Sequence, residues 1–214
     1  MKRAGSAAEK KTAGRPAGRR PAFAASDRRG DLVRAAYGII ATEGFEGLRT
    51  RGIVAAAGVN IATLHYYFPT KEALVGAVAQ HLVAQFVEVH APAARPAASP
   101  ALTRLHQEFA DARFYQAERP HVLTVVQEFL LRARRDPVIA GILDPLMRNW
   151  RGEIGEIVEA GIAEGVFRAE LDPRVAAASI VATLTGAASH GLDGEVLEGI
   201  LAGIEGWLRK DSRN

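Results

Sequence analysis

Cysteine is absent from the 214-residue chain. That excludes disulfide frameworks, cysteine zinc sites, thiol nucleophiles and iron–sulfur clusters. It also fits a reducing compartment, and a cytoplasmic location is expected. No apolar run approaches the roughly 18 residues of a transmembrane helix, so a membrane partner is not expected. Aromatic residues make up only 7% of the chain, yet hydrophobic residues reach 48%, which suits a globular fold rather than a disordered one. The usual catalytic signatures are missing too. There is no Gly-rich phosphate loop ending in Lys-Ser/Thr, no HExxH, no GxSxG and no paired DxD. His81, His90, His106, His121 and His190 are scattered, and no two have the i, i+4 spacing of a helical metal site. Neither a cofactor nor a metal is expected, and nothing marks an enzyme.

What is present is an uneven charge. Residues 1–26 hold seven basic residues against one acidic, whereas the other 188 hold 20 basic and 23 acidic. A basic arm on a slightly acidic body suits a polyanionic partner such as nucleic acid. The arm is rich in Ala, Gly, Pro, Lys and Arg and has no periodic apolar face, so residues 1–26 are expected to be disordered. No apolar segment follows it as in a signal peptide.

From Asp27 the pattern is helical throughout. Leu32, Ala35, Ala36, Ile39 and Ile40 define one face of a first helix, capped by Asp27 and ended at Gly44. A second helix fits residues 51–57 with Thr50 as its N-cap. Gly58 breaks it, and Asn60 caps a third over 61–67, which Pro69 stops. Thr70 opens a fourth helix, striped by Leu74, Ala77, Val78, His81, Leu82, Gln85 and Phe86. After the Pro-containing corner 91–99, helices start near Leu102, at Pro120, at Asp136-Pro137, at Asp172-Pro173 and at Asp193. No alternation of β-branched residues supports a strand.

The informative stretch is residues 31–78. Short helices broken by a glycine make a helix-turn-helix layout. In Ala55-Ala56-Ala57-Gly58-Val59, small residues permit close helix approach, Gly58 supplies a positive φ and Val59 fills the angle. On a helical wheel from Asn60, Leu64 and Phe68 point inward. Ala62, Thr63 and Tyr66 point outward, flanked by His65 and Tyr67, and that face has no acid. Small and hydroxyl groups suit base edges; Tyr and His suit phosphate oxygens. Lys71 sits in the first turn of a helix, an unfavourable place for a cation unless a phosphate joins it there.

AAAGVNIATLHYYFPTKEALV, residues 55–75, with the flanking Ala36, Gly44-Phe45 and Ile53, resembles the DNA-binding signature of the TetR (tetracycline repressor) family of bacterial transcription regulators. The resemblance implies an all-α fold, in which an N-terminal three-helix helix-turn-helix DNA-binding domain (27–78) precedes a larger C-terminal helical ligand-binding and dimerisation domain (79–210). It implies DNA contacts at Thr50, Arg51, Asn60, Ile61, Ala62, Thr63, His65, Tyr66, Tyr67 and Lys71. His65 stands where the family usually has Tyr, Arg49 where it has a Ser or Thr cap, and Gly52 where a helix-favouring residue is usual. The residue before Gly14-Arg15-Pro16 is Ala13 rather than the Arg of a minor-groove arm, so the basic arm is expected to add nonspecific affinity.

The same resemblance implies an effector cavity within residues 101–170, with His106, Phe109, Arg113, Phe129, Met147 and Trp150 as candidate lining. An apolar wall with an occasional His or Arg would suit an aromatic or weakly acidic molecule. The last two helices are the expected homodimer seam, through Ala176, Ala177, Ala178, Ala182, Gly186, Ala187 and Ala188 with Ile200, Ile204 and Trp207. Together these describe a ligand-responsive, sequence-specific DNA-binding transcriptional regulator, a repressor released from a palindromic double-stranded operator by a small molecule. An activator, a ligand-independent DNA binder, and a helical-bundle enzyme or adaptor retaining the fold remain as alternatives.

Overall fold

Helix starts in this chain are written by side chains that accept backbone amides. The computed structural model describes residues 27–209; the basic arm, residues 1–26, and the last five residues lie outside them. Nine α-helices follow one another there: α1 (Arg28–Glu43), α2 (Thr50–Ala57), α3 (Ile61–Tyr67), α4 (Lys71–Glu88), α5 (Pro100–Glu118), α6 (Pro120–Ala133), α7 (Pro137–Ala163), α8 (Pro173–Ser189) and α9 (Gly194–Leu208). Asp27, Asn60, Thr70, Ser99, Asp136, Asp172 and Asp193 each cap the helix that follows them. Among the described residues no strand forms; one isolated bridge joins Phe167 to Arg209. No helix among them is long and apolar enough to cross a membrane.

Two helices start without such a cap. Arg119 precedes α6 and Arg49 precedes α2, and neither side chain bonds the helix amides. Thr50, expected as the cap of α2, is its first residue instead. Arg49 holds the extended cap conformation, and a guanidinium has no acceptor to offer. The α2–α3 turn forms as expected. Gly58 has φ 63 and ψ 35, left-handed values that cost other residues free energy. The Val59 amide closes 3.0 Å onto the Val54 carbonyl. Asn60 Oδ1 then accepts the Thr63 amide at 2.8 Å and the Thr63 hydroxyl at 3.0 Å. Asn60→Ala removes both bonds and is expected to lower stability by about 1 kcal/mol in urea unfolding.

The helices share two hydrophobic cores. The first gathers α1 to α4 with Tyr115, Val122, Val125, Phe129, Ile139 and Leu143. The second joins α5, the C-terminal half of α7, α8 and α9 around Phe167. The 27-residue α7 runs through both, with Ile139 and Leu143 in one and Ile154, Ile157 and Val158 in the other. The division expected between residues 78 and 79 therefore falls inside α4, where Val78, Ala79 and Leu82 are all fully buried in the first core. α6 fastens α1 to the body. Phe45, in the 3-10 turn after α1, stacks edge-on against Phe129 with ring centres 5.1 Å apart, and the Arg132 guanidinium lies 4.9 Å from the Phe45 centre. Two of the scattered histidines meet here, His81 and His121 flanking the Tyr37 ring at 5.5 and 6.2 Å. Burial lowers the His81 pKa, so its ring sits there neutral at physiological pH.

Candidate nucleic-acid interface and effector cavity

α3 is short, and its burial is one-sided. Leu64 points into the first core, followed by Phe68 just past the helix end. Ile61, Ala62, His65 and Tyr66 are exposed, Tyr66 by 79%. That is the highest exposure among the large hydrophobic side chains left open in the described residues. Thr63 is half-buried, its hydroxyl donated to Asn60. Tyr67, expected beside Tyr66 on the outer face, is half-buried against the first core and meets the Tyr66 ring edge-on at 5.0 Å. Adjacent residues lie about 100° apart on a helix, so Tyr66 takes the open face and Tyr67 its border.

Charge sharpens this surface. Between Gly47 and Lys71 the sequence carries Arg49, Arg51 and Lys71 but no carboxylate. All three cations are exposed. Arg49 and Arg51 flank the uncapped start of α2, and Lys71 is the first residue of α4. Free amides of a helix N-terminus beside cations make a phosphate-binding arrangement. Thr50, Asn60, Ile61 and Ala62 are exposed on the same helix-turn-helix unit.

A cavity of about 380 Å³ opens between the two cores. α4 contributes Phe86, α5 Tyr115, α6 Val126 and Leu130, α7 Met147 and Trp150, and α8 Leu184. Polar groups interrupt this apolar wall. Trp150 Nε1 donates to Glu108 Oε2 at 3.0 Å, and Glu108 is accompanied by Asp111, Glu153 and His90. Burial pushes the Glu108 carboxyl above the usual range against the lowering effect of the Trp150 bond, and the neighbouring Asp111 and Glu153 add to the rise. The Tyr115 hydroxyl, pushed up to about 12 mainly by burial, donates to the Val89 carbonyl at 2.5 Å.

The structure divides the six residues expected to line an effector site. Met147 and Trp150 lie on this cavity. Phe129 is fully buried in the first core and is off its wall. Phe109 belongs to the second core, facing a separate shallow cleft of about 390 Å³ with His106 and Arg113. His106 is occupied by Glu205 at 2.9 Å, and the Arg113 guanidinium is bonded through both Nε and an Nη atom to Glu198. Glu108, Asp111 and Glu153 are not among the candidates that the sequence singles out. The available signal was spacing: Glu108, Asp111, Ala112 and Tyr115 fall at i, i+3, i+4 and i+7, a stripe that ends on a buried tyrosine.

α8 and α9 each leave one face open. On α8 Val175, Ala178 and Ala182 are exposed, whereas Ala176, Ala177 and Ala187 are buried within the subunit. On α9 Val196 and Trp207 are exposed by 46% and 39%, with Gly199 and Gly203 between them, and Ile204 faces inward.

This architecture defines a helix-turn-helix DNA-binding regulator with a helical sensor body. The family model "Bacterial regulatory proteins, tetR family" matches residues 32–78, and "BetI-type transcriptional repressor, C-terminal" matches residues 101–199. The chain belongs to the TetR family, and it is a ligand-responsive, DNA-binding transcriptional repressor. It is 29% identical over 143 residues to the HTH-type transcriptional repressor NicS of Pseudomonas putida, spanning 67% of each chain. To the HTH-type transcriptional repressor KstR2 of Mycobacterium tuberculosis it is 28% identical over 152 residues, 69% of this chain and 72% of that one. A TetR transcription regulator from Haloarcula marismortui shares the fold with a TM-score of 0.70 at 22% identity, over 86% of this chain and 97% of that chain.

Proposed function

We propose that the chain works as a homodimer on a pseudo-palindromic operator. Each α3 enters a major groove, and the two grooves lie about 34 Å apart. The observation that carries this is the exposed, acid-free face of α3 with Tyr66 at its centre. Ala62 and Thr63 face base edges. Tyr66, His65 and Lys71 bind phosphate, and Arg51 and Thr50 hold the backbone at the start of α2. Asn60, Ile61 and Tyr67 complete the contact surface. The open faces of α8 and α9, small residues beside Val175 and Trp207, support the dimer seam. The protein acts by binding rather than catalysis, in the cytoplasm where its DNA target lies.

A small molecule in the cavity between the cores favours a conformer whose two α3 helices no longer match the groove spacing. Release extends only as far as the effector's affinity differs between the two conformers. Selection from a random DNA pool at near-physiological salt tests the reading. A palindromic consensus supports it, and binding without any consensus replaces it with an architectural role driven by phosphate contacts. With the operator in hand, Tyr66→Ala is expected to weaken binding by about tenfold or more, the loss of one phosphate hydrogen bond per half-site, without lowering the unfolding temperature. Unchanged affinity in an anisotropy titration removes Tyr66 from the interface.

A further inference from the structure

Five charged side chains crowd the head of α1, and four of them pair among themselves. Asp31 holds the Arg34 guanidinium at 2.8 Å and that of Arg28 at 3.8 Å. Asp27 accepts the Gly30 amide at 2.9 Å and lies 4.0 Å from Arg34. Arg29 is the fifth, and it has no carboxylate partner among the described residues. Its side chain is exposed but not loose, because the guanidinium lies 5.1 Å from the centre of the Phe68 ring. Phe68 is buried, ends α3 and stands three residues before Lys71, the first residue of α4. Three residues span at most about 11 Å of chain. The ring therefore brings a cation from α1 to the corner where α3 gives way to α4, close to the exposed Lys71.

We propose that Arg29 is a further phosphate-binding residue, which extends the operator contact from α2, α3 and α4 to the head of α1. The proposal rests on the reading that α3 enters the major groove. A groove about 12 Å wide leaves the end of a helix inside it about 6 Å or less from one wall of phosphates, within reach of an arginine at that end. Contact with the ring occupies the face of the guanidinium, and the N–H donors around its edge remain to bind phosphate oxygens in pairs. The ring also restrains the side chain before DNA arrives, so less rotamer freedom is lost on binding. Asp27 and Asp31, the carboxylates that would repel a phosphate here, are offset by Arg28 and Arg34. Arg29 precedes the stretch matched by the family model, which begins at residue 32, and it is not among the contacts that the resemblance implies.

The test is the salt dependence of operator binding by the full-length protein, read by fluorescence anisotropy on the selected duplex. Arg29→Gln is expected to weaken binding by about tenfold. It flattens the plot of log affinity against log salt by about 0.9 per protomer, about 1.8 for the dimer. The loss is the same factor on duplexes carrying a single base-pair change, since a phosphate contact carries no sequence information. Arg29→Lys keeps the charge and the slope. Arg28→Gln, at the residue paired with Asp31, leaves the slope unchanged. Arg29→Met retains a contact with the Phe68 ring and is the second uncharged variant should Arg29→Gln not fold. A lower unfolding temperature with an unchanged slope would make Arg29 a staple between α1 and α3 and overturns the proposal. An equal flattening by Arg28→Gln also overturns it, since net charge rather than the placement on Phe68 then sets binding. A loss that varies with the base pair does the same, by making Arg29 a base reader. Tyr66→Ala separates the proposal from the reading beneath it. Unchanged binding in Arg29→Gln beside weakened binding in Tyr66→Ala removes Arg29 alone, and unchanged binding in both removes α3 from the groove and the Arg29 contact with it.

Discussion

Replacing Ala62 with Glu is expected to cut operator affinity by at least about 100-fold while leaving the fold intact. Ala62 is exposed at the second position of α3, on a surface with no carboxylate between Gly47 and Lys71. On the proposed binding mode a glutamate there brings a negative charge against base edges and phosphates. A mismatched base-edge contact costs about 1–3 kcal/mol, and a dimer carries the substitution twice. At about 1.4 kcal/mol per tenfold, the sum exceeds two decades. Near a helix N-terminus a carboxylate slightly stabilises the helix, so a fall in stability cannot account for lost binding. The measurement is an anisotropy titration beside thermal unfolding. Affinity within threefold of the parent would move α3 away from the groove.

Phe129→Ala is expected to destabilise the protein by about 3–5 kcal/mol, the usual cost of emptying a fully buried phenylalanine site. Phe129 is 0% exposed and supports Phe45, whose other neighbour is the Arg132 guanidinium. The loss therefore loosens the attachment of α1 to α6 as well as the core. Urea unfolding gives the magnitude. Hydrogen exchange gives the place, with early loss of protection in α1 expected. A cost below about 1 kcal/mol would mean that the surrounding side chains collapse into the space, and that the α1–α6 contact is softer than its geometry indicates.

Most helix boundaries were legible because local chemistry writes them. Asp27, Asn60, Thr70, Asp136, Asp172 and Asp193 accept amides in the structure where the sequence places a cap. Gly58 has the positive φ its position requires. The start of α2 misled because a threonine beside an arginine looks like a cap, whereas the backbone register puts Arg49 in that place. Candidate-site residues on a short helix were readable from angular position, as Tyr66 shows; Tyr67 lies at the border, where a wheel cannot separate half-buried from exposed. The cavity was least legible. Its wall comes from six helices, α4 to α9, and whether Phe129 or Met147 lines it depends on how those helices pack. Periodicity reports that a residue faces inward and not which interior it reaches.

α6 belongs to two environments at once. Val122, Val125 and Phe129 hold the DNA-binding helices, and Val126, Gln127 and Leu130 border the cavity. A helix of 14 residues cannot reposition one side and keep the other. Linkage then runs in both directions: if the ligand weakens the grip on DNA, an occupied operator weakens the grip on ligand by the same factor. The inducer concentration that opens a promoter is therefore no fixed constant of the protein. It falls when extra operator copies share a fixed amount of repressor, because each copy is then less often occupied, and a dose–response curve recorded on a multicopy reporter plasmid will understate the threshold that applies at a single chromosomal site.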